Sequence, residues 1–163
     1  MEHSESRITE LLENLKNCPK LYFSDRNSLN IENVRTGVYC IWDNNDKFLY
    51  AGMSGREYSK KIGSTKPYGL VVRLRSHASG RLSGDQFCVY VANRLVIPHL
   101  TPEEFPHFSA GTIRLDHKVK QYIHDNLCFK FTYTLDEKES YKLEDYIRTY
   151  GIDGEKPFLN GKQ

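Results

Sequence analysis

Residues 36–42 (TGVYCIW) and 47–51 (KFLYA) are two β-rich runs separated only by Asp43-Asn44-Asn45-Asp46. No other stretch limits the fold as strongly. Asn and Asp tolerate left-handed turn conformations, so the two runs are expected to close a β-hairpin. Other segments are read against it. Ile8, Leu11, Leu12 and Leu15 follow helical spacing and predict an amphipathic helix over 5–16, capped by Ser4 or Ser6. Residues 53–68, with Gly, Ser, Lys and Pro, read as a loop. Residues 69–79 place Leu70, Leu74 and Ala78 on one helical face, and 86–92 (QFCVYVA) read as a third strand. Pro98, Pro102 and Pro106 punctuate an irregular stretch from Asn93 to Ala110. Leu115, Val119, Tyr122 and Ile123 mark another helix, and 128–134 another strand. A last helix carries the stripe Leu143, Tyr146, Ile147 and Tyr150 and is closed by Gly151. The expected class is α+β, a small and mainly antiparallel β-sheet of about three strands plus an extension, flanked by helices.

A chain of 163 residues supports one domain. Its division is expected to be an N-terminal helix and connector over 1–35, packed on a main domain of 36–163. The apolar share of 39% with 11 glycines is that of a globular protein, which argues against a disordered tail. No apolar run approaches the ~20 residues that span a bilayer, so no membrane partner is expected. Met1-Glu2-His3-Ser4-Glu5 lacks the basic and apolar regions of a secretory signal. Cys18, Cys40, Cys88 and Cys128 lie far apart with no CxxC pair. They read as free thiols in a reducing, cytoplasmic setting, and the scattered histidines do not suggest zinc.

The formal charge is only +2. Resolved along the chain it is uneven. Residues 53–81 hold Arg56, Lys60, Lys61, Lys66, Arg73, Arg75 and Arg81 against Glu57 alone, a local +6 edged by Tyr58 and Tyr68. Such a segment suits a phosphate backbone, since Lys and Arg displace condensed counterions. A solvated basic face with no ligand has the same composition.

Three groups of side chains carry chemistry. The hairpin holds Gly37-Val38-Tyr39 on one run and Tyr50-Ala51-Gly52 on the other. Its two tyrosines form either a polar site or a cross-strand packing pair. Arg73 and His77 are four apart on a face distinct from the Leu70/Leu74 stripe, while Arg75 points elsewhere. An arginine there can hold a phosphoryl group and a histidine can move a proton, although an exposed polar pair has the same spacing. Glu144 lies at the border of the last helix's apolar stripe, one step from Ile147, where a half-buried carboxylate can hold Mg²⁺. An i, i+4 ion pair with Arg148 is its rival, and Asp145 is the second choice.

Together these residues resemble the GIY-YIG nuclease family. The two tripeptides stand as Gly37-Val38-Tyr39 and Tyr50-Ala51-Gly52, Arg73-Leu74-Arg75-Ser76-His77 resembles its arginine-bearing helix, and Glu144 its metal-binding glutamate. Asn160, in Pro-Phe-Leu-Asn-Gly, matches its C-terminal asparagine. The likeness runs from Thr36 to Gly161. Both central isoleucines are replaced, by Val38 and Ala51, which should be packing positions.

The resemblance implies a DNA endonuclease that hydrolyses phosphodiesters with one Mg²⁺ or Mn²⁺ on Glu144. Catalytic roles then fall to Tyr39, Tyr50, Arg73, His77, Glu144 and Asn160. Tyr39 with His77 activates water, Arg73 stabilises the phosphate, Tyr50 positions it, and Asn160 orients Glu144 or the metal's water shell. Lys60, Lys61, Lys66, Arg75 and Arg81 would bind DNA, and loops 53–68 and 93–115 are the sequence's candidates for readout. Cutting both strands would favour a homodimer. Two alternatives are a non-cleaving DNA-binding module on the same scaffold and an enzyme with a covalent tyrosine nucleophile, which gives Glu144 no role.

Overall fold

The computed structural model describes residues 2–160 except 33, 34, 57–59, 61 and 64, with side chains described from residue 6. Lys61, Tyr58 and Gly161 lie outside the described residues. The strands are β1 (Leu21–Tyr22), β2 (Gly37–Asp43), β3 (Phe48–Ser54) and β4 (Leu127–Tyr133). They form one antiparallel sheet in the order β1-β4-β2-β3. The described helices are α1 (Glu2–Asn17), α2 (Leu70–Ala78), α3 (Gln86–Val91), α4 (Phe105–Ser109), α5 (Leu115–Asn126) and α6 (Glu137–Tyr150). The fold is therefore α+β, as expected. No helix among the described residues is long and apolar enough to cross a membrane.

The hairpin forms where the sequence puts it. Asp43 closes the turn by accepting the Asn45 and Lys47 N–H groups at 2.8 and 2.9 Å, and Asp46 takes a φ of +65°. Register shifts between Ile41↔Tyr50 and Trp42↔Phe48, leaving Leu49 as the extra residue of a β-bulge. Both Leu49 and Tyr50 consequently pack with the cluster on one face, while Phe48 packs on the other.

Helices cover both faces. On one, Leu70, Leu74, Phe87, Val119 and Ile123 pack with Tyr39, Ile41 and Phe129. On the other, Leu11 and Leu15 of α1 and Leu143 and Ile147 of α6 close over Val38, Cys40 and Ala51. Val38 and Ala51 are fully buried, which makes them the packing positions anticipated for the altered tripeptides. Leu11 and Leu15 thus share one core with the hairpin and α6. Leu11 and Leu15 each bury a side chain, worth roughly 1.5–3 kcal/mol. Arg7 adds a 2.7 Å bond to Glu139 of α6, and β1 extends the sheet on β4.

Several local expectations fail. Residues 86–92 are helix, not strand. Asp85 caps the N-terminus by accepting the Cys88 N–H at 3.3 Å. Buried Phe87, Cys88, Val91 and Ala92 show helical spacing, which outweighs the β-propensity of the run. Residues 93–110 are largely short helical turns, with Pro98, Pro102 and Pro106 each at a first or second helical position. Helix α1 starts before Ser4 and Ser6, so neither caps it. Tyr146 and Tyr150 are exposed and lie 4.9 Å apart, leaving Leu143 and Ile147 as the buried stripe of α6.

Candidate active site

Residues directly opposite on paired strands share a face. The register Gly37↔Ser54, Tyr39↔Gly52 and Ile41↔Tyr50 therefore puts Tyr39, Tyr50 and Ser54 together. Both motif glycines are explained by close approach. A Cβ on Gly37 would lie 2.3 Å from the Thr132 carbonyl oxygen and 2.5 Å from Leu70 Cδ1. A Cβ on Gly52 would lie 2.4 Å from the Tyr39 hydroxyl.

Helix α2 crosses this face from a fixed start. Gly69 has a φ of +89°, and a Cβ there would come within 2.2 Å of the Arg35 carbonyl oxygen. The same carbonyl accepts the Leu70 N–H at 3.1 Å. Arg35 therefore ties the entry of β2 to the first turn of α2. Arg73 and His77 then stand one turn apart above the tyrosines.

A cleft of about 450 Å³ opens at this end of β3, lined by Tyr39, Tyr50, Ser54, Arg73, Glu144 and Arg148 among others. Four of the six residues assigned to catalysis from sequence line it, and a fifth lies directly behind. His77 is 1% exposed, and its Nε2 is 2.7 Å from the Tyr39 hydroxyl. Tyr50 packs edge-on to the imidazole with centroids 6.1 Å apart, and Phe87 tilts against it at 4.6 Å.

Asn160 is placed differently from expectation. Its amide oxygen accepts the Ala51 N–H and its amide nitrogen donates to the Ala51 carbonyl, both at 2.8 Å. Leu159 N–H donates to the Leu49 carbonyl at 2.7 Å, so the C-terminal segment covers the edge of β3. Asn160 clamps the peptide between Tyr50 and Gly52 and makes no described bond to Glu144.

Glu144 sits in the cleft with its side chain 16% exposed, whereas Asp145 is exposed outside it. The i, i+4 ion pair with Arg148 is present as well, at 3.9 Å. Burial pushes the Glu144 carboxyl above its usual value, opposed by Arg148, Arg56 and Arg73. Among the described residues three guanidiniums and one carboxylate line the cleft, a balance that favours a phosphate.

The basic segment is divided by the fold. Arg56 and Arg73 line the cleft, whereas Arg75 turns away and donates to the Leu29 carbonyl at 3.3 Å. Arg81, past the end of α2, is exposed and outside the lining. Lys60 and Lys66 are exposed on the connection from β3 to α2.

Two residues of the site escaped the sequence reading. Ser54 lines the cleft at 7% exposure, and its hydroxyl has no hydrogen-bond partner among the described residues. Asp85 is 2% exposed and lies 2.8–2.9 Å from His77 Nδ1. Its signal was available as an N-cap residue, but only if 86–92 had been read as helix.

These contacts set the proton positions. Asp85 is held at about 2, below its ordinary 3.8, because His77, Ser76 and the Cys88 N–H outweigh the cost of burial. As an acceptor-only carboxylate it accepts a hydrogen bond from the Nδ1–H of neutral His77. Nε2 is left as an acceptor, and Tyr39 donates to it. Burial pushes the Tyr39 phenol well above 10 and Tyr50 to about 12.

Burial also lowers the His77 pKa, opposed in part by Asp85. A folded-state value below the unfolded one means stability that is complete above pH ~6.5 and lost as pH falls towards the folded value. Asp85 adds a second loss below pH 3.8. Urea midpoints are therefore expected to fall from about pH 6.5 downwards, well before ordinary carboxylates titrate. A midpoint constant between pH 7 and 5 would contradict a buried neutral imidazole.

Compared with known protein families, with curated proteins and with solved structures, the chain matches none.

Proposed function

We propose that the protein is a metal-dependent DNA endonuclease of the GIY-YIG type, hydrolysing a phosphodiester bond by in-line attack of water. The observation that supports this most is the 2.7 Å bond between the Tyr39 hydroxyl and His77 Nε2, in a cleft that Arg73 and Glu144 also line. A phenol raised by burial does not ionise alone at neutral pH. It can take a proton from water only as it passes its own to a neighbouring base, which neutral His77 supplies. Tyr50, held at about 12, stays protonated and donates to a phosphate oxygen. Arg73 offers its planar fork to the charge that builds on the equatorial oxygens.

The donors present fit Mg²⁺ or Mn²⁺. A hard divalent ion of this kind keeps several waters and substrate oxygens around one or two carboxylates. Glu144 would hold it, and the Ser54 hydroxyl, without a hydrogen-bond partner among the described residues, offers a further buried oxygen in the same cleft. When bound, the ion supplies Lewis acidity and offsets charge on the leaving oxygen. The four cysteines are unpaired, which suits a reducing, cytoplasmic setting.

Nicking of supercoiled plasmid is expected in Mg²⁺, to vanish with a chelator, and to fall at least ~10²-fold in Glu144→Ala, the size of effect that a lost electrostatic stabiliser gives. A Glu144→Ala protein that cuts as well as its parent would remove the carboxylate from the mechanism.

A further inference from the structure

Asp85 belongs to none of the motifs, yet it is among the most constrained polar groups in the chain. Its carboxylate accepts from His77 Nδ1 at 2.8–2.9 Å, from the Ser76 hydroxyl at 2.6 Å and from the Cys88 N–H at 3.3 Å. All three partners donate. The return from α2 that brings Asp85 here passes Gly80, where a Cβ would lie 2.4 Å from the Lys120 backbone nitrogen. The titratable and charged groups around the imidazole are Tyr39 of β2, Tyr50 of β3, Arg73 of α2, and Asp85 and Cys88 at the start of α3. From α5, His124 is held on the Ala78 carbonyl at 2.9 Å. Asp85 is the one carboxylate among them.

We infer that Asp85 is a positioning residue for the cleavage proposed above. By accepting the hydrogen bond from the Nδ1–H of His77 it fixes the tautomer whose Nε2 lone pair faces the Tyr39 hydroxyl. The assignment rests on the nuclease reading for its consequence and on hydrogen-bond geometry for its cause. In the step, water forms the new bond to phosphorus and gives its proton to the Tyr39 oxygen. Tyr39 gives its own proton to Nε2. The bond from phosphorus to the leaving oxygen breaks, and that oxygen takes a proton from solvent. The imidazolium formed is stabilised by Asp85 and later returns its proton to solvent.

Asp85→Asn tests this, because asparagine keeps both the shape and the helix cap. Its amide would donate to Nδ1 and move the imidazole proton to Nε2, which then faces Tyr39 as a donor. A wrong tautomer of this kind, in a serine-protease triad, costs about 10⁴-fold in turnover. Here kcat is expected to fall about 10²–10⁴-fold at pH 7 with KM unchanged. The loss should shrink as pH rises and hydroxide replaces the relay. Nitrogen-15 NMR of the histidine side chains reads the tautomer without any activity. Wild type should show His77 protonated on Nδ1, and Asp85→Asn on Nε2. Ser76→Ala, which removes a bond to Asp85 but not its charge, should keep both the wild-type tautomer and a rate within about threefold.

Wild-type protein with the proton on Nε2 would overturn the assignment, whether or not the variant folds. So would an Asp85→Asn variant that keeps the wild-type tautomer or rate while wild type cuts DNA. A wild type that shows the Nδ1 proton but cuts no DNA instead sinks the nuclease reading.

Discussion

Arg73→Ala is expected to lower the single-turnover rate of Mg²⁺-dependent DNA cleavage about 10³-fold while leaving the fold intact. The rate effect follows from what an arginine supplies. Its guanidinium is always charged and presents two parallel donors to a phosphoryl group, and losing one such stabiliser typically costs 10²–10³-fold. The intact fold follows from its place on α2. Leu70, Leu74 and His77 are buried and anchor the helix, whereas Arg73, at the edge of that face, is exposed on the cleft. It makes no hydrogen bond or ion pair among the described residues, so truncation leaves no buried group unsatisfied. Surface changes of this kind usually stay within about 0.5 kcal/mol. Arg73→Lys keeps a charge but loses the fork, and should recover only part of the rate. Cleavage by Arg73→Ala within tenfold of wild type, at unchanged melting temperature, would take the guanidinium out of the transition state.

The contrast between Arg73 and its neighbours shows which parts of the site were readable in advance. Periodicity and turn chemistry are local, and they located the hairpin, α2, α5 and α6. Tyr146 and Tyr150 of the expected α6 stripe nevertheless face solvent, and His77 is buried with the leucines of α2. Glu144 could be preferred over Asp145 because one step of helix rotation decides burial. Net charge by segment is also local, and there it misled. The basic run 53–81 is split by α2 between the cleft and the Leu29 side, while Arg148 reaches the cleft from an acidic segment. Asp85 was hidden because its role depends on whether 86–92 is helix or strand, and propensity alone favoured strand. Asn160 was found by resemblance, but its partner was not. Its bonds go to a peptide 109 residues away, on an edge strand that only the sheet order reveals. The buried Ser54 hydroxyl has no sequence signal of any kind.

Gly52→Ala carries the other large effect, and it isolates geometry from chemistry because no reacting group is removed. Gly52 is not among the positive-φ glycines, so alanine meets no backbone strain there. The added methyl meets the Tyr39 hydroxyl at 2.4 Å, Tyr39 Cζ at 2.5 Å and Tyr50 Cε1 at 2.9 Å. Something must move, and the backbone resists. Tyr39 and Gly52 are direct cross-strand partners, and Asn160 holds the adjoining Ala51 peptide through two bonds. The phenol ring therefore has to yield, and with it the 2.7 Å bond to His77. Overpacking of this kind costs about 1–3 kcal/mol, and each kcal/mol lowers the melting temperature by about 2–4 °C in a chain of this size. The rate should suffer more than the stability. Displacing a proton-transfer partner by about 1 Å costs on the order of 10²-fold, so cleavage is expected to fall 10²-fold or more in a protein that still melts cooperatively. The matching tautomer measurement should show His77 still protonated on Nδ1, since Asp85 is untouched, but with the bond from Tyr39 to Nε2 weakened. A Gly52→Ala enzyme that cuts at the wild-type rate would mean that the Tyr39 hydroxyl need not stand where it does. The case for proton transfer through His77 would then fall, whatever the fate of Arg73 and Glu144.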